Sequence, residues 1–166
     1  MSRRAPALTG AVLFATGFAL TLAAPPLAAQ SVNISGLSDV SFGALRPVND
    51  ARRAQSLCVF SDLPGRGYLV TATGSGAGGA FVLDGGGGAD LPFAIEWADQ
   101  PSVDQGMPLN PGQPLGGQTS TATDATCGSG PTRTASLVVV IARADLAAAR
   151  SATNYSGTLT LVIAPQ

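Results

Sequence analysis

The sequence predicts an all-β sandwich of about seven or eight short strands with one short helix. Most apolar residues after residue 30 recur with a period of two, which is typical of strands that bury one face. Clusters of Gly, Pro, Asn and Asp interrupt these segments at short intervals, as turns between neighbouring strands do. Only segment 144–152, which is rich in Ala, has the composition of a helix, and its length suits a cap on the sandwich.

The predicted strands follow one another in chain order. An early pair alternates apolar residues at Val32 and Ile34 and then at Val40 and Phe42. The remaining strands are predicted over 56–61, 67–73, 80–84, 91–97, 135–142 and 158–163. Alternation places Tyr68, Val70 and Ala72 on one face of the 67–73 strand and Leu69, Thr71 and Thr73 on the other. It likewise places Phe93, Ile95 and Trp97 on one face of their strand, and Leu159, Leu161 and Ile163 are expected to point inward.

The connections carry the glycine-rich motifs. Residues 74–79 match the G-x-G-x-x-G pattern of dinucleotide sites, but a strand rather than a helix follows, which favours a hairpin loop. The glycines that follow Asp84 favour a flexible turn, with a weak calcium site between Asp84 and Asp90 as the alternative. Segment 101–131 is rich in Pro, Gly, Ser and Thr, and it is predicted as a long connection with one short strand near 118–123.

Residues 1–29 have the layout of a secretory signal peptide. Two arginines near the start precede an almost wholly apolar run over 10–24, two prolines then interrupt it, and cleavage is expected after Ala29. The run of about 15 residues is shorter than the roughly 20 that span a bilayer, so we expect no stable membrane insertion. The sequence therefore predicts one exported domain over 30–166.

Composition removes several classes of function. The chain has 9 Lys+Arg, all of them Arg, against 10 Asp+Glu, and it has no His. It therefore offers no imidazole base, no lysine for a Schiff base and no basic excess for nucleic acid. Two cysteines alone do not complete a four-ligand zinc site. The acids Glu96, Asp99 and Asp104 lie close in sequence without a flanking catalytic pattern, so we expect a non-enzymatic protein without cofactor or metal.

The two cysteines, Cys58 and Cys127, are expected to form one disulfide in an exported chain. The bridge would close a loop of about 70 residues, for which the chain-entropy treatment gives about 4 kcal/mol of stabilisation. A reactive thiol is disfavoured because the chain has no Lys or His to lower a thiol pKa.

Four segments together resemble spore coat protein U domains and the archaic chaperone–usher pilins. The segments are Val40-Ser41-Phe42-Gly43, the cysteine strand 58–61 followed by 67–74, the Leu91-Pro92-Phe93 to Trp97 strand, and the closing segment 155–163. Their order and spacing carry the resemblance across most of residues 38–166.

The resemblance implies an immunoglobulin-like, pilin-like sandwich that is incomplete because its last strand is missing. A periplasmic chaperone fills the resulting groove first, and a strand from a like or related subunit fills it after passage through an outer-membrane usher. Val32 and Ile34 are then expected as the donor residues. The acceptor groove is expected to be lined by Leu137, Val139, Ile141, Leu159, Leu161 and Ile163. The chain would be a fimbrial or surface-coat subunit, and the disulfide would staple its sandwich.

Two alternatives stay open at this point. The segment before the Val40 strand is short and lacks the cysteine that family pilins carry in their first strand, so Val32 and Ile34 can equally form this domain's own first strand. The chain would then be a minor subunit or a monomeric secreted binding module that uses the 101–131 connection and the 85–90 turn. The apolar strand at the end of the sequence leads us to expect that something must pair with it.

Overall fold

The computed structural model describes residues 30–150 and 154–166, so the predicted signal peptide over 1–29 lies outside the described residues. Within them, the strands are β1 (Val32–Ser35), β2 (Ala51–Ser61), β3 (Gly67–Gly74), β4 (Val82–Asp84), β5 (Asp90–Pro92), β6 (Ala94–Ala98), β7 (Met107–Leu109), β8 (Leu115–Thr119), β9 (Ala135–Ile141) and β10 (Leu159–Pro165). One α-helix, α1 (Arg143–Ala148), and one 3₁₀ turn, Ala77–Gly79, complete the described elements.

The strands form two main antiparallel sheets, which confirms the predicted all-β sandwich. One sheet has the order β1-β2-β9-β6-β7, and the other has the order β10-β3-β8. β4 and β5 make a separate two-stranded hairpin. If β1, β2, β9 and β6 are matched to strands A, B, E and D of an immunoglobulin constant-type sandwich, β3 and β10 match C and F. No described strand takes the place of strand G beside β10.

The core lies between the two sheets and follows the period of two. The predicted alternation in β3 is confirmed, and the structure shows which face is inward: Tyr68, Val70 and Ala72 are fully buried, while Leu69 and Thr71 between them are not. Every position of β9 is buried, because this strand is central in its sheet. The buried core comprises Leu57, Val59, Tyr68, Val70, Ala72, Phe81, Ile95, Trp97, Leu109, Ala135, Leu137 and Val139.

An aromatic pair joins the two sheets at the centre of this core. The Trp97 Nε1–H of β6 donates a hydrogen bond to the Tyr68 hydroxyl of β3 over 3.2 Å. The two rings meet edge to face, with centroids 6.3 Å apart. Burial raises the pKa of Tyr68 to about 12, because the phenolate would lose its hydration inside the sandwich. The hydrogen bond thus pairs the buried indole N–H with the buried phenol oxygen.

The structure corrects the predicted early strand pair. Val32 and Ile34 lie in β1, but residues 36–50, including Val40 and Phe42, form no strand. This segment is irregular; Phe42 and Leu45 pack by their side chains, whereas Val40 stays exposed. Two alternating apolar residues are therefore not enough to indicate a strand.

The predicted strand over 91–97 is two strands. β5 pairs with β4 and β6 pairs with β9, and the chain changes partner at Phe93. There the Phe93 amide donates to the Phe81 carbonyl over 3.0 Å, and the two rings stack with centroids 5.6 Å apart. The change of partner places a half-buried Phe93 at the margin of the core.

The long connection and the helix differ in detail from expectation. Segment 101–131 contains two short strands, β7 and β8, where one was predicted. The helix begins at Arg143 and ends at Ala148, and the end of the predicted 144–152 segment lies outside the described residues. Leu146 is buried and packs against Leu91 and Ile141, so the helix closes one end of the sandwich as expected.

Candidate functional site

An open groove of about 1420 Å³ runs between the edges of the two sheets. Its lining combines apolar side chains with polar groups, the latter mainly from residues 38–41 and 154–158 and from Gln55. β9 supplies Leu137, Val139 and Ile141, β10 supplies Leu159 and Leu161, the β4–β5 hairpin supplies Leu83 and Leu91, and Phe42, Phe93 and Leu146 complete the apolar part. The opposite wall is formed by residues 37–45 and Pro47 of the irregular segment.

The structure brings together five of the six residues predicted for an acceptor groove. Leu137, Val139 and Ile141 share the inward face of β9, and Leu159 and Leu161 share the inward face of β10. The sixth residue, Ile163, lies beyond the groove and packs against the core cluster. The arrangement arises because alternate residues of both strands point into the space between the sheets.

β10 is an edge strand beside this groove. It pairs along its whole length with β3, from Leu159 opposite Gly74 to Pro165 opposite Tyr68. No described strand pairs with its other edge, and β1 of the facing sheet lies close to it. Val162, on the outer face, is 57% exposed. An edge strand of seven residues next to apolar surface is a template for adding another strand.

The predicted donor residues lie in the chain's own sheet. β1 pairs antiparallel with the end of β2, with Ile34 opposite Val59. Val32 and Ile34 are half-buried and pack against the core cluster, whereas Asn33 between them is exposed. In this structure the segment therefore takes the second of the two places that the sequence left open, as the first strand of its own domain.

A carboxylate clamps the start of β1. Asp62, directly after β2, accepts hydrogen bonds from the Ser31 amide over 2.8 Å and from the Ser31 hydroxyl over 2.7 Å. The side-chain and main-chain bonds from Ser31 lower the pKa of Asp62 below its usual value, because both favour the charged form. The clamp was not visible in the sequence, since the two residues are 31 positions apart.

Two polar residues of β2 lie on the same face of the sheet as the core residues of β9. Arg53 lies opposite Val139 and Gln55 lies opposite Leu137, and directly opposed residues share a face of the sheet. The Arg53 guanidinium lies 5.7 Å from the centre of the Phe42 ring, and the Gln55 amide oxygen accepts from the Ser38 amide and hydroxyl. Gln55 therefore lines the groove, and Arg53 stays exposed beside Phe42.

The disulfide joins Cys58 and Cys127, with Cα atoms 6.1 Å apart. Cys58 alternates with the core residues Leu57 and Val59, so the bridge lies on the outer face of β2, where it packs with Ala122 and Phe60. It therefore ties β2 to the connection that follows β8 and does not cross the core between the sheets. A disulfide is compatible with an extracellular or secreted protein.

The loop that presents Cys127 was not predicted from the sequence. Asp124 accepts hydrogen bonds from the amides of Thr126, Gly128 and Ser129 and from two of their hydroxyls. These bonds lower the pKa of Asp124 far below its usual range. The Asp-x-Thr and Gly-Ser spacing, typical of Asx turns, is the signal that was available.

The neighbouring acids of the sequence do not converge on one site. Glu96 forms an ion pair with Arg52 and accepts from the Gly106 amide over 3.0 Å. Asp99 accepts from the amide and hydroxyl of Thr119, and the Asp104 carbonyl accepts from Arg52. Each group holds a loop or strand in place.

The described residues contain no group of three or more His, Cys, Asp or Glu side chains arranged to hold a metal ion. Asp84 and Asp90 face each other at the end of the β4–β5 hairpin, and the Asp84 carboxylate accepts from the Gly86 amide over 2.7 Å. In the same part of the chain, no helix is long and apolar enough to cross a membrane. The groove is therefore the feature that we take as the candidate site.

Comparison with known proteins identifies no relative: no protein-family model matches the chain, and no curated protein matches its sequence.

Proposed function

We propose that this chain is an exported, non-enzymatic structural subunit of a bacterial fimbria or surface coat that assembles by donor-strand complementation. The observation that carries the proposal is the uncovered edge of β10 beside an apolar groove. An added strand gains main-chain hydrogen bonds to the edge and places alternate side chains in the groove, which are the two requirements of strand addition.

The chemistry of the groove sets what the added strand must look like. Apolar residues two positions apart would face Leu137, Val139 and Leu161, while the residues between them would face solvent. β1 has this pattern, with half-buried Val32 and Ile34 on either side of exposed Asn33. A second copy of the chain therefore carries a suitable donor, and related subunits with the same spacing would serve equally.

Donation from β1 requires that it leave its own sheet. β1 has only four residues, and its pairing with β2 is limited to the last four residues of that strand. Release of β1 therefore breaks a few main-chain hydrogen bonds and the bonds between Ser31 and Asp62. It also exposes the two half-buried side chains of β1. Exchange of such a short terminal element is a low-cost route to assembly.

The export route follows from the same proposal. An unpaired apolar edge is an aggregation hazard while the subunit is alone. A periplasmic pilus chaperone would cover the groove during export, and an outer-membrane usher would replace it with the donor strand of the next subunit. The final location would be the cell surface.

The test uses pairs of variants of the exported, oxidised chain, each of which keeps the native disulfide and carries one added cysteine. If Val32 and Ile34 of one copy enter the groove of another, Asn33 faces outwards next to Val162 or next to Thr160, two residues away. Mixed samples of Asn33→Cys with Val162→Cys or Thr160→Cys should then form a disulfide-linked heterodimer. Asn33→Cys mixed with Val48→Cys is the control, because Val48 is 66% exposed and belongs to no strand. Heterodimer yields no higher than the control would refute the proposal.

A second candidate function is favoured by the placement of β1. Because β1 already completes one edge of its own sheet, the domain can also work as a monomeric secreted binding or adhesion module. Its binding surface would be the 101–131 connection, which the disulfide and the Asp124 loop hold in one conformation, together with the 85–90 turn. This candidate predicts a monomer at all concentrations.

A further inference from the structure

The segment between β1 and β2, residues 36–50, covers one side of the groove, and we refer to it as the plug segment. Phe42 is half-buried and packs against both the central core and the cluster around Leu91 and Ile141. Leu45 packs against the same second cluster. These two side chains occupy apolar space in the groove that a complementary strand would need.

The backbone of the plug segment is weakly attached. Among the described residues, its bonding between main-chain groups is limited to the bond from the Val48 amide to the Arg46 carbonyl, within the segment itself. At its end, the Asp50 carboxylate accepts a hydrogen bond from the Arg143 amide over 2.8 Å. Its ties to β2 are made by side chains, through the Ser38–Gln55 bonds and the Arg53–Phe42 contact. A strand in the same place would add a main-chain ladder to comparable side-chain burial, and it would therefore bind more tightly.

Two glycines allow the segment to leave without disturbing its neighbours. Gly36, at the end of β1, has φ +81°, and Gly43, directly after Phe42, has φ +63°. Both lie in the left-handed region that glycine adopts at little cost, so each is a point where the chain direction changes easily. Movement at these positions carries Phe42 and Leu45 out of the groove while β2 keeps its pairing with β9.

We infer that residues 36–50 are a resident self-plug of the acceptor groove, which an incoming strand must displace. The inference rests on the proposed function and adds regulation to the same site. Its consequence is that the apparent affinity for a donor strand equals the intrinsic affinity multiplied by the fraction of molecules whose groove is open. The plug also shields apolar surface in the free subunit, which limits premature pairing.

The first experiment measures whether a donor peptide displaces the plug segment from the groove. The probe is a synthetic peptide with the sequence of residues 30–37, added to the exported, oxidised chain carrying Leu45→Cys. Both native cysteines are in the disulfide, so the new thiol is labelled selectively. The peptide should raise the maleimide labelling rate of Leu45→Cys at least about fivefold, because the half-buried side chain becomes exposed. The rate of the control Val48→Cys, already exposed, should not change.

The second experiment weakens the packing of the plug segment in the groove by truncating one of its side chains. Phe42→Ala should tighten binding of the same peptide about tenfold or more, whereas Val48→Ala should leave it unchanged. Binding to the unsubstituted chain without any rise in Leu45→Cys labelling would overturn the self-plug and leave the proposed function standing. Absence of binding to both the unsubstituted chain and folded Phe42→Ala would overturn the acceptor function and the self-plug together. Binding only after Phe42→Ala would support both.

Discussion

At the residue scale, single polar groups hold the places where the chain leaves its strands. Thr134, just before β9, accepts a hydrogen bond from the Val59 amide over 2.8 Å and donates one to the Val59 carbonyl over 3.0 Å. A side chain thus replaces a pair of main-chain bonds where the β2–β9 ladder ends. Asp62 does the same at the start of β1, while Asp124 orders the loop that carries Cys127.

Asp124→Asn should lower the midpoint of thermal unfolding at neutral pH, because the loop around Cys127 loses charge-assisted hydrogen bonds. The pKa of Asp124 in the folded chain lies below 3.8, so its stabilisation is present above that pH and is lost as the pH falls towards the folded value. The difference between variant and parent should therefore narrow below about pH 3.8. Asp39→Asn, on an exposed acid, is the control. A difference independent of pH would contradict this account.

Tyr68→Phe should destabilise the domain by about 1–3 kcal/mol, because it leaves the buried Trp97 Nε1–H without its acceptor. Urea titration followed by Trp97 fluorescence measures the change. Tyr155→Phe is the matched control, since the Tyr155 hydroxyl makes its bonds to Arg150 at an exposed position and should matter less. Equal losses of unfolding free energy in the two variants would show that the Tyr68–Trp97 hydrogen bond stabilises the domain no more than the exposed bonds of Tyr155 do.

At the element scale, β1 is held by fewer interactions than the central strand β9. It is an edge strand of four residues, and its start depends on the Asp62 carboxylate. β9, in contrast, is central and buried at every position. Local opening should therefore be far easier in β1 than in β9, since the stability of a segment follows its buried contacts and hydrogen bonds.

Asp62→Ala should release β1 without unfolding the domain. Hydrogen–deuterium exchange of the amides of β1 should become faster, because Ser31 loses both of its bonds to the carboxylate. The amides of β9 should keep their protection and serve as the internal control. Loss of protection in both strands would mean that Asp62 supports the whole fold, and unchanged exchange in β1 would mean that the clamp is not what holds it.

The double variant Cys58→Ser, Cys127→Ser should lose about 4 kcal/mol of unfolding free energy, as expected for a loop closed over 69 positions. Because the bridge lies outside the core, the variant should still fold with the same Trp97 fluorescence as the parent. Denaturant unfolding of the two proteins checks the value. A variant that fails to fold at all would show that the bridge organises the sandwich itself.

At the scale of the whole molecule, the sandwich class could be predicted because period-two burial is a property of each strand. The buried faces of β3 and β6 follow directly from it. The plug segment could not be predicted, since Val40 and Phe42 alternate as strand residues do, but only Phe42 packs and neither belongs to a ladder. Partner choice at Phe93 depends on contacts between distant residues, and so does the place of Arg53 on the face that it shares with Val139.

Part of the candidate site could be predicted as well. The inward faces of β9 and β10 follow from alternation, which is why five predicted residues line one groove. The place of Ile163 depends on where the groove ends, and the wall formed by the plug segment depends on packing across the molecule. Neither is encoded in local periodicity.

The most direct test of the account is the size of the exported, oxidised chain on a denaturing gel, with unboiled and boiled samples side by side. The account predicts a ladder of bands in the unboiled lane that collapses to one band on boiling, because each added strand completes the sandwich of its neighbour through the open edge of β10. A single monomer band in both lanes, together with one sharp cooperative melt, would contradict self-assembly and identify the domain as a self-complete secreted module.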